Sequence, residues 1–384
     1  MVRLSLVGLL LCAFFGQLSA AAAAVTWPLE PNIKAKSWVL LDARSGQILA
    51  KNEENKRLAP ASMTKLMTLY LAFEAAKQGT LDLDERVNVS KKAWKIGGST
   101  MFLEPRMHPT VREIIHGIST LSGNDAAIVM AEHMAGSTDE FVRLMNAKAS
   151  QLGMTNSHFM NPTGFPEENH FSTAMDMAKL GVALWRDYPV FFEIFAEKSY
   201  TFDERKQWNR NKLLWSLPEA KGLKTGHTEE AGYCLTAAVE KGNMRLVSSL
   251  FGAESDKLRQ EQSKVLLKYG MRQFTTLQPR DKKIKRKIEV FEGKSDSVWL
   301  KPAKSIWITV PKGSERQVAF KLDYTSPQRA PISKGQVIGS IQALLRTDED
   351  VVLQTVPMLA QQSVERASWF GRKADALRLW WRDQ

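Results

Sequence analysis

The chain has 384 residues, of which 44% are hydrophobic and 24% charged, a balance that excludes a disordered polymer and supplies enough apolar material for a large core. Its net charge of +12, with histidines neutral, suits nucleic acid, anionic lipid or an anionic polymer. No RNP box or zinc-finger spacing supports the first, so nucleic acid is not expected as a partner.

Met1-Val2-Arg3 opens an apolar run from Leu4 to Phe15, followed by Gln17-Leu18-Ser19 and the alanines Ala20 to Ala24. A charged start, a short apolar stretch and small residues make a secretory signal peptide, so residues 1–24 are expected to be cleaved off. Cys12 follows Leu11, where lipidation wants a small residue. The mature chain then keeps Cys234 alone and no internal disulfide. No later segment reaches the ~18 apolar residues needed to span a bilayer.

From Lys36, Ser-Trp-Val-Leu-Leu-Asp reads as a strand, turned by Ala43-Arg44-Ser45-Gly46 into a second strand at Gln47 to Lys51. Met63 to Lys77 is apolar around much of its circumference, which predicts a buried helix. Val111 to Ala135, Thr138 to Leu152 and Ser172 to Arg186 are further helical segments. Strand signals return at Gly232 to Val239 and Met244 to Phe251, joined as a hairpin by Lys241-Gly242-Asn243. Ser255 to Arg272 reads as helix. Strands at both ends thus enclose a helical middle, an α+β domain whose terminal strands share one sheet. Near Phe274 the composition shifts. Gln278-Pro279 and a basic run from Arg280 to Lys287 lead into short alternating segments: Ile306 to Val310, Val318 to Tyr324, Val337 to Ala343 and Val352 to Val356. This predicts a small all-β domain. The boundaries expected are 1–24 signal, 25–273 first domain, 274–359 β-rich domain and 360–384 amphipathic tail.

In the tail, Trp369, Phe370, Ala374, Leu377, Trp380 and Trp381 fall on one face of a helix. Arg372, Asp375, Arg378 and Arg382 fall on the other, with Leu379 the exception, and Lys373 can snorkel from the apolar arc. Aromatics opposite basic residues predict a helix lying in the interface of an anionic membrane rather than crossing it.

Three short motifs carry the chemistry. Ser62-Met63-Thr64-Lys65 follows Pro60 at a helix start, where positions three apart share a face and Lys65 reaches the Ser62 hydroxyl. A serine is a poor nucleophile until a base takes its proton, and a neutral buried lysine is such a base. Ser122-Gly123-Asn124 sits between helical segments and offers a hydroxyl and an amide. Lys224-Thr225-Gly226 ends a predicted edge strand, offering a cation, a hydroxyl donor and room for close backbone approach. Each alone is weak, since Ser and Asn also cap helices and strand ends are common. In this order they form the set of class A β-lactamases and penicillin-binding proteins.

The chain resembles the low-molecular-mass penicillin-binding proteins, specifically the D-alanyl-D-alanine carboxypeptidases, along essentially its whole length. Met101-Phe102-Leu103, Leu121 to Ala126, Asn209-Arg210-Asn211 before Leu213-Leu214-Trp215, and Lys224 to Thr228 with Ala231-Gly232-Tyr233 carry the likeness. The resemblance implies a penicillin-binding/β-lactamase-like transpeptidase domain, an antiparallel sheet plus a helical cluster. It implies Ser62 as nucleophile, Lys65 as base, Ser122 as proton relay, Asn124 as holder of the substrate amide and Lys224 as tuner of the network's charge. Thr225 would bond the terminal carboxylate with Arg259 nearby, Arg210 being a second candidate, while Gly226 lets the strand approach and the backbone N–H groups of Ser62 and His227 bind the oxyanion. The implied partners are a peptidoglycan stem pentapeptide and β-lactam antibiotics, on the periplasmic face of the inner membrane. An endopeptidase, a serine β-lactamase or a penicillin-binding sensor without turnover remain as alternatives; neither Glu167 nor Glu168 opens the Glu-x-x-Leu-Asn pattern that a class A β-lactamase needs. The six histidines, at 108, 116, 133, 158, 170 and 227, show no metal-ligand spacing, and no metal or cofactor is expected.

Overall fold

The structure is a computed structural model that describes residues 26–382; the signal-peptide reading lies outside the described residues. A five-stranded antiparallel sheet runs in the spatial order Ile48–Asn52, Ser37–Asp42, Met244–Ala253, Gly232–Lys241 and Ala220–Thr228. The N-terminal strands and the hairpin closed by Gly242 share this sheet, as their separation by a helical middle implied. The α+β expectation holds. Gly46 and Gly242 take positive φ at the two hairpin turns, where a side chain would be strained.

Helices cover both faces of this sheet, giving one core of Met63, Leu66, Phe73, Ile114 and Val129 and another of Leu40, Leu246 and Leu266. The central helix, Lys65–Gln78, is buried along nine consecutive residues from Lys65 to Phe73. Its lack of a polar stripe follows from this position, with other elements packed around it. The segment read as one helix from Val111 to Ala135 is two, Val111–Ser119 and Asn124–Ala135. The first starts with a capping box between Thr110 and Glu113. The break between them presents Ser122 in a left-handed conformation, φ 63°.

Beyond Phe274 a six-stranded sheet is ordered Val318–Tyr324, Val337–Leu345, Val351–Ala360, Ser297–Pro302, Arg286–Phe291 and Gln328–Arg329. It packs its inner face around Val298, Leu300, Ile341, Val356 and Met358. Strand Ser297–Pro302, with its alternation of buried Val298 and Leu300, is an addition to the strands predicted from the sequence. A separate pair, Phe274–Leu277 with Ile308–Pro311, joins the two units. At that junction the buried Asp42 carboxylate accepts from Thr276 Oγ1 at 2.8 Å, and Ser45 and Thr309 hydroxyls lie 2.8 Å apart. Arg44 stacks over Trp307 at 4.4 Å.

The terminal helix, Trp369–Arg382, rests on the β-rich unit through one face only. Asp375 accepts the backbone N–H of Glu292 at 2.6 Å, and Leu379 is buried. Leu379, the apparent exception on the polar face, is thus the docking residue. Trp369, Phe370, Leu377, Trp380 and Trp381 all remain exposed on the opposite side. No helix among the described residues is long and apolar enough to cross a membrane.

Candidate active site

The first motif begins on a 3-10 turn, Ala61–Thr64, that continues into helix Lys65–Gln78. Pro60 precedes it and Ala61 sits at φ 48°, a strained conformation for a residue with a Cβ. The turn is pressed between two backbones. A Cβ on Gly164 would lie 1.9 Å from the Ala61 carbonyl oxygen, and one on Gly226 would lie 2.9 Å from that of Pro60. Both glycines are therefore required by close approach, and Gly226 brings the Lys-Thr-Gly strand against the serine turn. That strand, Ala220–Thr228, is an edge of the sheet, and Lys224 lies in its middle rather than at its end.

Lys65 is fully buried. Its Nζ lies 3.0 Å from Ser62 Oγ and donates to Asn124 Oδ1 at 2.7 Å and to the Thr163 carbonyl at 2.6 Å. Burial, reinforced by the nearby Arg210 charge, lowers its pKa to about 7. A sizeable fraction is then unprotonated near neutral pH, so the amine can receive a proton from Ser62. Asn124 is held at both ends, since its Nδ2 donates to the Gly97 carbonyl at 2.8 Å.

A second lysine–serine pair faces the same cleft. Lys224 Nζ donates to Ser122 Oγ at 2.8 Å and to the Thr225 carbonyl at 3.2 Å. Burial first, then the charges of Lys65, Arg210 and Arg259, push its pKa well below the ordinary lysine value. Ser62, Lys65, Ser122, Asn124 and Lys224 thus converge from a helix start, a helix break and a strand. Next to them the buried Asp125 carboxylate accepts from the backbone N–H groups of Met101 and Leu103. That bond set ties the Met-Phe-Leu loop to the Ser-x-Asn break and gives a physical reason for both stretches of the resemblance.

The cleft has two lobes that share Ser62, Ser99, Arg210 and His227. The larger, about 440 Å³, is lined by Ser122, Trp208, Lys212, Thr225, Gly226, Tyr233, Asp256 and Arg259 as well. The smaller, about 260 Å³, continues past Asn124, Thr163, Gly164, Phe165 and Thr228. Arg259 is buried, paired with Asp256, and donates to the carbonyls of Gly226 at 3.3 Å and Cys234 at 3.5 Å. Its guanidinium therefore braces the Lys-Thr-Gly strand from beneath while reaching the larger lobe. Arg210 is exposed at the border of both lobes. His227 stacks on Tyr233 with ring centroids 4.0 Å apart.

Sequence reasoning assigned no part to Thr163 and Gly164, which cradle Lys65 and the serine turn, or to Asp256, the partner of Arg259. No motif marks them, because a backbone carbonyl, a glycine contact and a helix-turn carboxylate are defined only by what folds against them. His170 is buried with its Nε2 2.8 Å from Thr64 Oγ1 and its Nδ1 accepting from Met160 N–H. Burial lowers its pKa to about 4, so it is a neutral brace under the serine turn. Cys234 is buried and its thiol is pushed up to about 11, the state of an inert core residue.

The family model described as D-alanyl-D-alanine carboxypeptidase matches residues 23–255, and that of the penicillin-binding protein 5 C-terminal domain matches residues 273–366. The chain is 38% identical over 365 residues to the D-alanyl-D-alanine carboxypeptidase DacA of Escherichia coli K12, covering 92% of this chain and 89% of that one. The structure superposes on penicillin binding protein 5 from Haemophilus influenzae with a TM-score of 0.84 and 36% identity, covering 88% of this chain and 100% of the other. It also matches penicillin-binding protein D2 from Listeria monocytogenes in the ampicillin-bound form, with TM-score 0.59, 27% identity and coverage of 64% and 100%.

Proposed function

The chain belongs to the D-alanyl-D-alanine carboxypeptidase family of serine hydrolases, and from that membership we propose how its own residues carry the reaction. The observation that supports the scheme most directly is the Ser62 hydroxyl 3.0 Å from the amine of a fully buried Lys65 with a pKa near 7. The unprotonated Lys65 takes the Ser62 proton as Oγ attacks the carbonyl of the penultimate D-alanine. The backbone N–H groups of Ser62 and His227 hold the oxyanion, usually the largest electrostatic term in such chemistry. The proton reaches the leaving amine through Ser122, which is kept in place by Lys224. Thr225, with Arg259 and Arg210 as the cationic surroundings, receives the terminal carboxylate in the larger lobe. D-Alanine leaves, and water, activated by the same lysine, hydrolyses the ester. The substrate is the pentapeptide stem of peptidoglycan. A β-lactam follows the same first step and stalls as an acyl-enzyme, a reading supported by the ampicillin-bound form of a similar structure.

A division into a catalytic unit at 25–273, a β-rich unit at 274–359 and a tail at 360–384 is supported at its first boundary by Phe274, which opens a strand pair outside both larger sheets, while strand Val351–Ala360 carries the β-rich unit one residue past the second. The exposed aromatic face of the tail helix supports peripheral attachment to an anionic membrane, on its periplasmic face. Ser62→Ala is the test of the catalytic scheme: it is expected to abolish both release of D-alanine and covalent labelling by penicillin. Undiminished labelling of that variant would remove Ser62 as nucleophile.

A further inference from the structure

The larger lobe is out of proportion to the leaving group assigned to it. At the ~30 Å³ that a water occupies in the liquid, a molecule the size of D-alanine fills on the order of 150 Å³. The lobe offers about 440 Å³, a space that also takes in the reacting centre at Ser62 and Ser122. Thr225 and Arg259 both line it, so the side chain of the last residue enters the same space as its carboxylate. One wall of that space is Trp208, an indole 59% exposed at the lip of the cleft.

Trp208 is held in place although it is exposed. Lys206 Nζ sits 4.6 Å from its ring, Trp215 packs beside it at 6.3 Å between ring centroids, and Lys198 lies 5.9 Å from Trp215. The next residue is pinned as well: Asn209 donates through Nδ2 to the Glu197 carbonyl at 2.9 Å and through its backbone N–H to Lys198 at 2.9 Å. The hairpin Ser199–Phe202 with Arg205–Trp208 is thus anchored where it enters the cleft. The fold therefore presents a large, positioned apolar surface to solvent beside the carboxylate anchors, an arrangement that favours a bound apolar group.

We propose that the Trp208 wall makes a subsite for the side chain of the leaving residue, and that the enzyme releases D-amino acids with large apolar side chains, such as D-leucine or D-phenylalanine, as well as D-alanine. Trp208 is then a specificity-determining residue, acting on which residue leaves rather than on how the bond breaks. The inference rests on the placement of the terminal carboxylate at Thr225 and Arg259.

The test measures kcat/KM for peptides ending in D-Ala-D-Ala, D-Ala-D-Leu and D-Ala-D-Phe, with penicillin labelling as a check on the intact site. In the wild-type enzyme the bulky substrates are expected within about ten-fold of D-Ala-D-Ala. In Trp208→Ala the D-Leu to D-Ala ratio is expected to fall about ten-fold, chiefly through KM, as loss of an apolar wall of this size implies. Trp208→Phe, which keeps an aromatic wall, is expected to retain most of the ratio and guards against misfolding of the alanine variant. An unchanged ratio in Trp208→Ala that still labels with penicillin overturns the subsite. So does a wild-type preference for D-Ala-D-Ala of more than about a hundred-fold, far above what one hydrophobic pocket contributes to discrimination. Failure to release D-alanine at all would instead overturn the carboxypeptidase reading, and the subsite with it.

Discussion

Lys65 is the residue on which the chemistry turns, and its environment makes a prediction about pH. Its folded pKa of about 7 lies below the ordinary lysine value of 10.5 because the charged form is stripped of water. With the unprotonated amine as the proposed base, acylation should be slow well below pH 7 and rise as pH climbs through that value. The rate of penicillin labelling between pH 5 and 9 measures this; a rate that fell across pH 7 would mean that the ammonium is the active form. The same burial sets the sign for stability. Between about pH 7 and 10.5 the unfolded chain binds more protons at this site than the folded one, so the contribution of Lys65 to stability improves as pH rises through that window. Lys65→Arg is expected to fail in acylation although it keeps the charge, since a guanidinium does not deprotonate near neutral pH. Near-normal labelling by that variant would assign Lys65 a purely electrostatic part. Thr225→Val should weaken carboxypeptidase action more than acylation by a β-lactam whose carboxylate is poorly placed, by about 1.5–3 kcal/mol for one lost charge-assisted hydrogen bond. Equal losses for both substrates would count against carboxylate binding there.

At the scale of elements, the site is made where regular structure stops. Ala61, Phe102 and Ser122 all hold positive φ, in the serine turn, the Met-Phe-Leu loop and the Ser-x-Asn break. Such conformations cost on the order of 1–3 kcal/mol apiece and persist because neighbours over-determine them. Asp125 fastens one of these segments to another, and Gly164 leaves space for the carbonyl of Ala61. Gly164→Ala is therefore expected to cost about 1–3 kcal/mol from its positive φ alone, with more from the 1.9 Å overlap at Ala61. A lowered Tm together with slowed penicillin labelling would agree; labelling at the wild-type rate would show that the serine turn tolerates displacement. The triplets were legible in the sequence because each supplies its own functional atoms. Their supports were not, since Thr163 acts through a carbonyl and Gly164 through the side chain it lacks. The helical stretch predicted from Val111 to Ala135 is interrupted at Ser122-Gly123-Asn124, which the sequence already places between helical segments; what it does not show is that the break brings Ser122 to Lys224, 102 positions away.

Across the whole molecule, two units share one polar junction at Asp42, Ser45, Thr276 and Thr309, and the tail helix is docked by Asp375 and Leu379 with its aromatic face turned outward. Deleting the chain from about Ser368 removes nothing from the cleft and should release a soluble, active enzyme from membranes. Each buried Trp or Phe contributes roughly 1.5–3 kcal/mol to membrane attachment, discounted for partial depth. Each basic residue near an anionic surface contributes about 1 kcal/mol, screened by salt. High salt alone should therefore release little protein, while Trp380→Glu with Trp381→Glu should release most of it. Retention of the truncated chain on membranes would place the anchor elsewhere. Solubility with loss of activity against small peptides would make the helix a structural prop for the catalytic unit.

The sequence by itself determined the α+β arrangement and the amphipathic tail, which rest on local periodicity, and pointed to the reaction class and the nucleophile and base candidates through three triplets whose order resembles that of a known family. Only the tertiary structure decided that Lys65 is buried enough to be a base, that Arg259 braces the strand it serves, that Leu379 is a docking residue and that Trp208 lines the same cleft as Thr225 and Arg259. Each of these depends on desolvation or close approach by residues distant in the chain, and neither quantity exists until the chain has folded.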